Sequence, residues 1–314
     1  MQNLIFSIGL VAPVFLIVAL GYFLKKLGMI NDNFVTLSSK IVFTVSLPAL
    51  IFIEILNVDI GKIFDLGAIT FVYVGTLVAF SVAWFISGFL TEDGKDKAAF
   101  IQGSFRGNFA IIGLAIIVNF YGTESLGKAS LILAFTIPLY NVLSVIALTV
   151  PLKKEKKADY KKILFEILKN PLIIAVISAV IFSSFKLKLP DVLFKTGTYL
   201  AELALPLALI GIGGFLSFKD ITPNHLLTTI STLLKLIIIP AAATFAAYAL
   251  GFSGSDLGII FILFACPTAI ASFIMAEAMG VNSRLAGNIL LLTTLASVVT
   301  ITIGLFILKQ NGLI

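Results

Sequence analysis

SFRGNFAIIGLAIIVNFYG, residues 104 to 122, sets an arginine and an asparagine on either side of one glycine inside an otherwise apolar run. Read as a helix rising 1.5 Å per residue, the run carries Arg106 roughly 12 Å into a bilayer. A charge near the bilayer centre costs at least about 2.5–3.5 kcal/mol, so such residues usually face a cavity or a partner. Glycine in a helix interior costs about 1 kcal/mol relative to alanine, and asparagine tolerates non-helical backbone. The run therefore reads as a membrane helix broken at Gly107–Asn108. Broken backbone at that depth is tolerated only where it is buried in protein or lines a cavity.

Composition supports the membrane. Of 314 residues, 59% are hydrophobic and 12% charged, and the mean hydropathy is +1.11. Soluble domains carry roughly 25% charged residues, so this chain lacks the polar surface to coat a globule. One cysteine, Cys266, and one histidine, His225, exclude a disulfide framework and the usual zinc constellations. No metal or cofactor is expected. The first apolar run has no basic residue before it and no small-residue cleavage site, so it reads as a retained span.

Ten runs are long enough to cross: about 4–24, 36–56, 66–90, 98–120, 126–150, 171–185, 193–217, 227–250, 257–279 and 285–308. No alternating pattern suggests a β-barrel. The loops after the odd-numbered spans, with Lys40, hold fourteen Lys and Arg, and the opposite face holds six. By the positive-inside rule the first set is cytoplasmic and both termini lie outside a cell membrane. Topology thus explains the net charge of +6 without nucleic acid. The segment 151–170 is the longest cytoplasmic loop and separates two halves, 1–150 and 171–314. Within it Ile163, Leu164, Ile167 and Leu168 recur at helical spacing, as in an interfacial helix. A solvated linker is the plainer alternative.

A shift of 158 residues lays Pro13 on Pro171, Pro48 on Pro206 and Gly122 on Gly280. Each half holds an odd number of spans, so the two copies have opposite orientations, the inverted-repeat pattern of secondary transporters. The same shift equates spans four and nine. Pro267 disrupts the ninth, where it is expected to free the carbonyl of Leu263.

At these residues the chain resembles the auxin efflux carrier family, whose bacterial members include malate and malonate carriers. The resemblance covers essentially the whole length. It includes APVFLIVALGYFLKKLG (12–28), SLPALIF (46–52), GNFAIIGLAI (107–116) and CPTAIASFIMAEAMG (266–280). Ala115 departs from it, standing where GLP is commoner than GLA. The resemblance implies an all-α membrane fold of ten helices in two inverted five-helix repeats, related to bile-acid sodium symporters. It also implies a scaffold domain, a transport domain, and discontinuous helices four and nine crossing at an anion site. Asn108 and Pro267 fall where the family has its crossover polar residue and proline.

The candidate substrate-binding residues are Arg106, Gly107, Asn108, Pro267, Thr268 and Ser272. Arg106 as a carboxylate counterion competes with an internally paired arginine, and Asn108 as a substrate ligand competes with an interhelical hydrogen bond. Glu202, one turn before Pro206, is a candidate for ion coupling as a buried carboxyl. Lys235 is expected to snorkel, and Cys266 to pack. Asn141 and Asn288 are further polar groups a cavity could use. The function expected is a secondary carrier of a small mono- or dicarboxylate, with a proton or sodium ion left open as the coupling ion and a homodimer left open as the assembly. A channel or a membrane-embedded sensor is the alternative. An enzyme is disfavoured: there is no HExxH, no paired intramembrane aspartates, no serine with a histidine partner, and no P-loop.

Overall fold

A computed structural model describes residues 2–56, 65–152, 171–187, 189–216 and 225–314, and these contain no strand. The interfacial helix expected over 163–168 lies outside the described residues. In chain order the α-helices are α1 (Gln2–Lys26), α2 (Asp32–Ile41), α3 (Leu47–Leu56), α4 (Leu66–Leu90), α5 (Gly94–Phe105), α6 (Leu114–Tyr121), α7 (Leu126–Thr149) and α8 (Pro171–Ser184). There follow α9 (Asp191–Glu202), α10 (Ala204–Phe215), α11 (His225–Leu233), α12 (Ile239–Ala249), α13 (Gly254–Ala265), α14 (Ile270–Ala278) and α15 (Ser283–Gln310). Among the described residues, six helical stretches are long and apolar enough to cross a membrane: Asp32–Ile53, Leu66–Leu90, Thr123–Leu152, Asp191–Phe215, Leu226–Ala249 and Ser283–Gln310. Shorter apolar helices cover Phe109–Tyr121 and Gly254–Ala265.

Local chemistry sets the ends. Asp65, Asp93 and Asn282 accept first-turn backbone N–H bonds at the starts of α4, α5 and α15. Caps of this kind contribute about 1 kcal/mol each. Gly122, at φ 79°, closes α6 in a conformation that a side chain would strain. Prolines explain the interruptions. The wide-turned segments Val42–Ser46 and Leu234–Ile238 each end two residues before a proline, Pro48 and Pro240. A proline ring displaces the carbonyl four residues back, and a wider turn absorbs that displacement. Pro206 acts similarly where α9 gives way to α10 at Leu203.

Helices pack into two groups, joined chiefly where α1 lies against α15. In the first, α1 lies along α10 and α8 lies along α3, so helices distant in the chain pair crosswise. Gly21 and Gly213 permit this closeness: a Cβ on Gly21 would strike the carbonyl of Ile210, and one on Gly213 that of Val18. The second group contains α4, α5, α7, α11–α13 and α15. Ala98–Phe105 and Leu257–Ala265 are buried without a gap in its centre, the second stretch wholly apolar and the first holding Gln102 and Ser104, whose hydroxyl lies 2.8 Å from that of Ser231. A helix buried on every side reads as hydrophobic all round, as Leu257–Ala265 does.

Candidate functional site

The run quoted first is broken where its glycine and asparagine suggest. Helix α5 ends at Phe105, Arg106 and Asn108 leave the helical conformation, and a wide-turned segment resumes at Phe109. Pro267 likewise lies in a break, between α13 and α14. The two breaks meet. Gly107 and Thr268 form an antiparallel bridge: the Asn108 N–H donates to the Pro267 carbonyl at 2.8 Å, and the Ala269 N–H to the Arg106 carbonyl at 3.1 Å. Unsatisfied backbone groups in a bilayer cost several kcal/mol apiece, so each break supplies what the other lacks.

Side chains complete the junction. The Thr268 hydroxyl donates to the Gly103 carbonyl at 2.6 Å, and the Thr268 N–H donates to the Thr293 hydroxyl at 3.2 Å. Lys235, expected to snorkel, is instead 1% exposed, with its ammonium donating at 2.7 Å to the Phe264 carbonyl. The C-terminal end of α13 carries the negative pole of its dipole, so a cation is stabilised there. Because α13 already ends at Ala265, Pro267 lies beyond it, and the carbonyl held by a side chain is that of Phe264 rather than Leu263. Gly107 fits between these parts: a Cβ on it would lie 3.2 Å from the Leu263 carbonyl oxygen and 3.2 Å from the Lys235 ammonium.

Beside the bridge lies a cavity of about 350 Å³. Arg106, Gly107, Asn108, Tyr140, Asn141 and Met275 line it, with Ser39 from α2 and Ala208 from α10. On an intact helix Arg106 and Asn108 would point about 200° apart, and the break brings both to one cavity. The Arg106 guanidinium donates to the Ser144 hydroxyl at 2.9 Å, the Asn141 carbonyl oxygen at 3.1 Å and the Met275 sulfur at 3.1 Å. All three partners are neutral, and no carboxylate among the described residues pairs with Arg106 or Lys235. The Asn108 amide bonds no described residue and faces the cavity. The segments starting at Phe109 and Ile270 both direct their N-terminal ends toward this space.

Other candidates lie elsewhere. Thr268 buckles the crossing without lining the cavity, and Pro267 contributes its carbonyl. Ser272 is 2% exposed, and its hydroxyl has no partner among the described residues. Glu202 is exposed rather than buried, because the turn at Leu203 carries it outward; it borders a separate cavity with Asn119, Thr198 and Pro206. Lys235, Ser144, Tyr140 and Met275 were missed as site residues. The spacing of Asn141 and Ser144, three apart on α7 and hence on one face, is a signal for that pair.

At the opposite edge of the second group, Lys128 bridges Asp65 at 3.3 Å and Asp256 at 2.5 Å, tying the starts of α4, α7 and α13. Burial would raise the Asp65 carboxyl, but the Ala68 N–H and the Lys128 ammonium outweigh it and hold the group below its usual range.

Residues 6–305 match the family described as membrane transport protein. The chain is similar to an uncharacterized transporter of Methanothermobacter thermautotrophicus, 23% identical over 93% of this chain and 95% of that one. It is similar also to the uncharacterized transporter MJ1031 of Methanocaldococcus jannaschii, at 24% over 94% and 96%. The uncharacterized transporter YfdV of Escherichia coli (strain K12) is 25% identical over 97% and 98%.

Proposed function

Since this chain belongs to the auxin efflux carrier family of membrane transport proteins, we propose that it is a secondary carrier of a small mono- or dicarboxylate that works by alternating access. One observation carries the reading. Two buried cations, Arg106 and Lys235, stand at paired helix breaks with no carboxylate among the described residues to balance them. A buried unpaired charge is costly, and an anion in the adjoining cavity would offset that cost. A space of about 350 Å³ suits a small organic anion. Arg106 supplies charge and a bidentate fork, Asn108 orients the carboxylate, and Gly107 and Pro267 shape the crossing. Ser272 lies within the first turn of α14, where a small shift would bring its hydroxyl to the cavity.

The recurrence of element order after 158 residues supports two inverted halves, 1–150 and 171–314, and ten crossings. The crosswise pairing of α1 with α10 and of α8 with α3 supports a scaffold of spans one, two, six and seven, against which the remaining spans move. Both termini lie outside the cell membrane in this reading. A proton or sodium gradient drives transport in this reading, and Glu202, being exposed, no longer has the burial that made it a coupling candidate. Uptake of labelled malate and malonate into proteoliposomes, under imposed proton or sodium gradients, tests this. Absence of uptake and exchange for every small carboxylate would overturn it.

A further inference from the structure

A second cavity, of about 500 Å³, opens between α1, α2 and α10 on one side and α14 and α15 on the other. Lys25, Asp32, Phe215, Phe273, Arg284 and Asn288 line it. One wall is the first turn of α15, a helix of 28 residues, whose positive pole therefore meets the space. A helix start alone specifies no ligand, but Asn288 adds an independent sign. It is 8% exposed, its amide bonds no described residue, and it lines the cavity. Buried amides nearly always have partners, and here the remaining direction is into the cavity.

Charge agrees. The Lys25 ammonium is held by Asp32 at 2.6 Å, whereas Arg284 is in no ion pair with a described residue. The cavity thus presents two cations and one carboxylate. Phe215 and Phe273 meet edge to face at 4.9 Å, joining α10 to α14. Gly287 leaves them room, since a Cβ on it would lie 3.3 Å from the Phe273 ring. Helix α14 also lines the crossover cavity through Ala271, Ile274 and Met275, so the aromatic pair stands on a wall shared by both spaces.

We propose that this second cavity is an antechamber that binds the carrier's carboxylate before it reaches Arg106. The inference rests on the reading of the crossover as the transport site. The Arg284 guanidinium and the Asn288 amide hold the carboxylate at the start of α15, and the ring faces of Phe215 and Phe273 cover its carbon chain. A guanidinium matches a carboxylate with two parallel bonds, and a neutral amide adds a donor without a second burial of charge. Passage toward Arg106 requires the aromatic pair to part, which links occupancy of this space to movement of α14 against α10.

Cys266 is buried, so an Asn288→Cys change in a Cys266→Ala background presents one reactive thiol. Its rates with the anionic reagent MTSES and the cationic reagent MTSET report the local field, whatever the carrier transports. The expected result is a preference for MTSES of about tenfold, lost in R284Q. In malonate uptake started from this face, R284Q is expected to raise KM about fivefold. If the cysteine at 288 prevents folding, Ser283→Cys reads the same wall. A charge preference that depends on Arg284, without transport of any carboxylate, supports the cavity's chemistry and overturns the crossover reading. Malonate transport with neither a charge preference nor a KM change overturns the antechamber and leaves the carrier standing.

Discussion

Replacing Arg106 with glutamine separates a ligand-binding cation from a structural one, because the two roles give opposite signs. The guanidinium is buried against Ser144, Asn141 and Met275, none of them charged. Glutamine is shorter but still offers an amide donor to Asn141 or Ser144 while removing the charge. If Arg106 waits for an anion, the empty protein bears the cost of a desolvated charge, and R106Q should be as stable as the parent or more so. Replacement of buried ionic groups has stabilised proteins by about 1–4 kcal/mol. Ligand then reverses the order. At a malonate concentration of about 100 times Kd the parent gains about 2.7 kcal/mol. The variant loses two charge-assisted hydrogen bonds of about 1.5–3 kcal/mol each, and a loss of that size weakens binding by at least about 100-fold. Thermal unfolding in detergent with and without malonate measures both effects. A variant that melts lower without malonate yet keeps the parent's malonate shift would refute the reasoning and leave Arg106 a structural residue.

Removing the ammonium in Lys235→Met strips the Phe264 carbonyl of its donor, which costs about 1–3 kcal/mol, and takes a positive charge from beside Gly107. Carboxylate uptake should fall more than tenfold, and full uptake would show that this charge plays no part. Thr268→Val orphans the Gly103 carbonyl; stability should drop by about 1–3 kcal/mol while malonate affinity stays within about twofold, the pattern of a buckle rather than a ligand. The carboxyl of Asp65 is held below its ordinary value of 3.8, so its stabilisation is present above that pH and lost as pH falls through the lowered value. Melting temperature should decline more steeply below about pH 4 in the parent than in Asp65→Asn, and parallel curves would count against the clamp. Tags at either terminus should be reachable from outside intact cells and one near Lys156 should not.

Legibility differed by residue for physical reasons. The break at Gly107–Asn108 and the disruption at Pro267 could be read because glycine, asparagine and proline act on their own backbone, whatever packs around them. The bounds of α4 followed from the apolar run after Asp65, a residue able to cap it. Lys235 and Glu202 were read the wrong way round, lysine outward and glutamate inward. Depth along a span is visible in sequence, but which face meets another helix depends on the packing of distant segments. Thr268 is similar: its polarity marked it as part of the crossing, and only the direction of the bridged backbone sends its hydroxyl to Gly103 instead of the cavity. Nor could composition show that Arg106 would find three neutral partners.

The bridge between Gly107 and Thr268 is made of main-chain atoms alone. Its two hydrogen bonds ask nothing of the side chains at 106, 108 and 269, which are the positions that look into the cavity. Recognition and architecture are thereby written in separate alphabets at one place. Under the proposed function, a crossing of this kind can exchange its arginine or its asparagine, and so its cargo, without reopening the question of how two interrupted helices survive in lipid. The glycine, the proline and the buckling Thr268 are bound to the architecture. A lineage of such proteins has room to diversify in what it carries while its skeleton stays still.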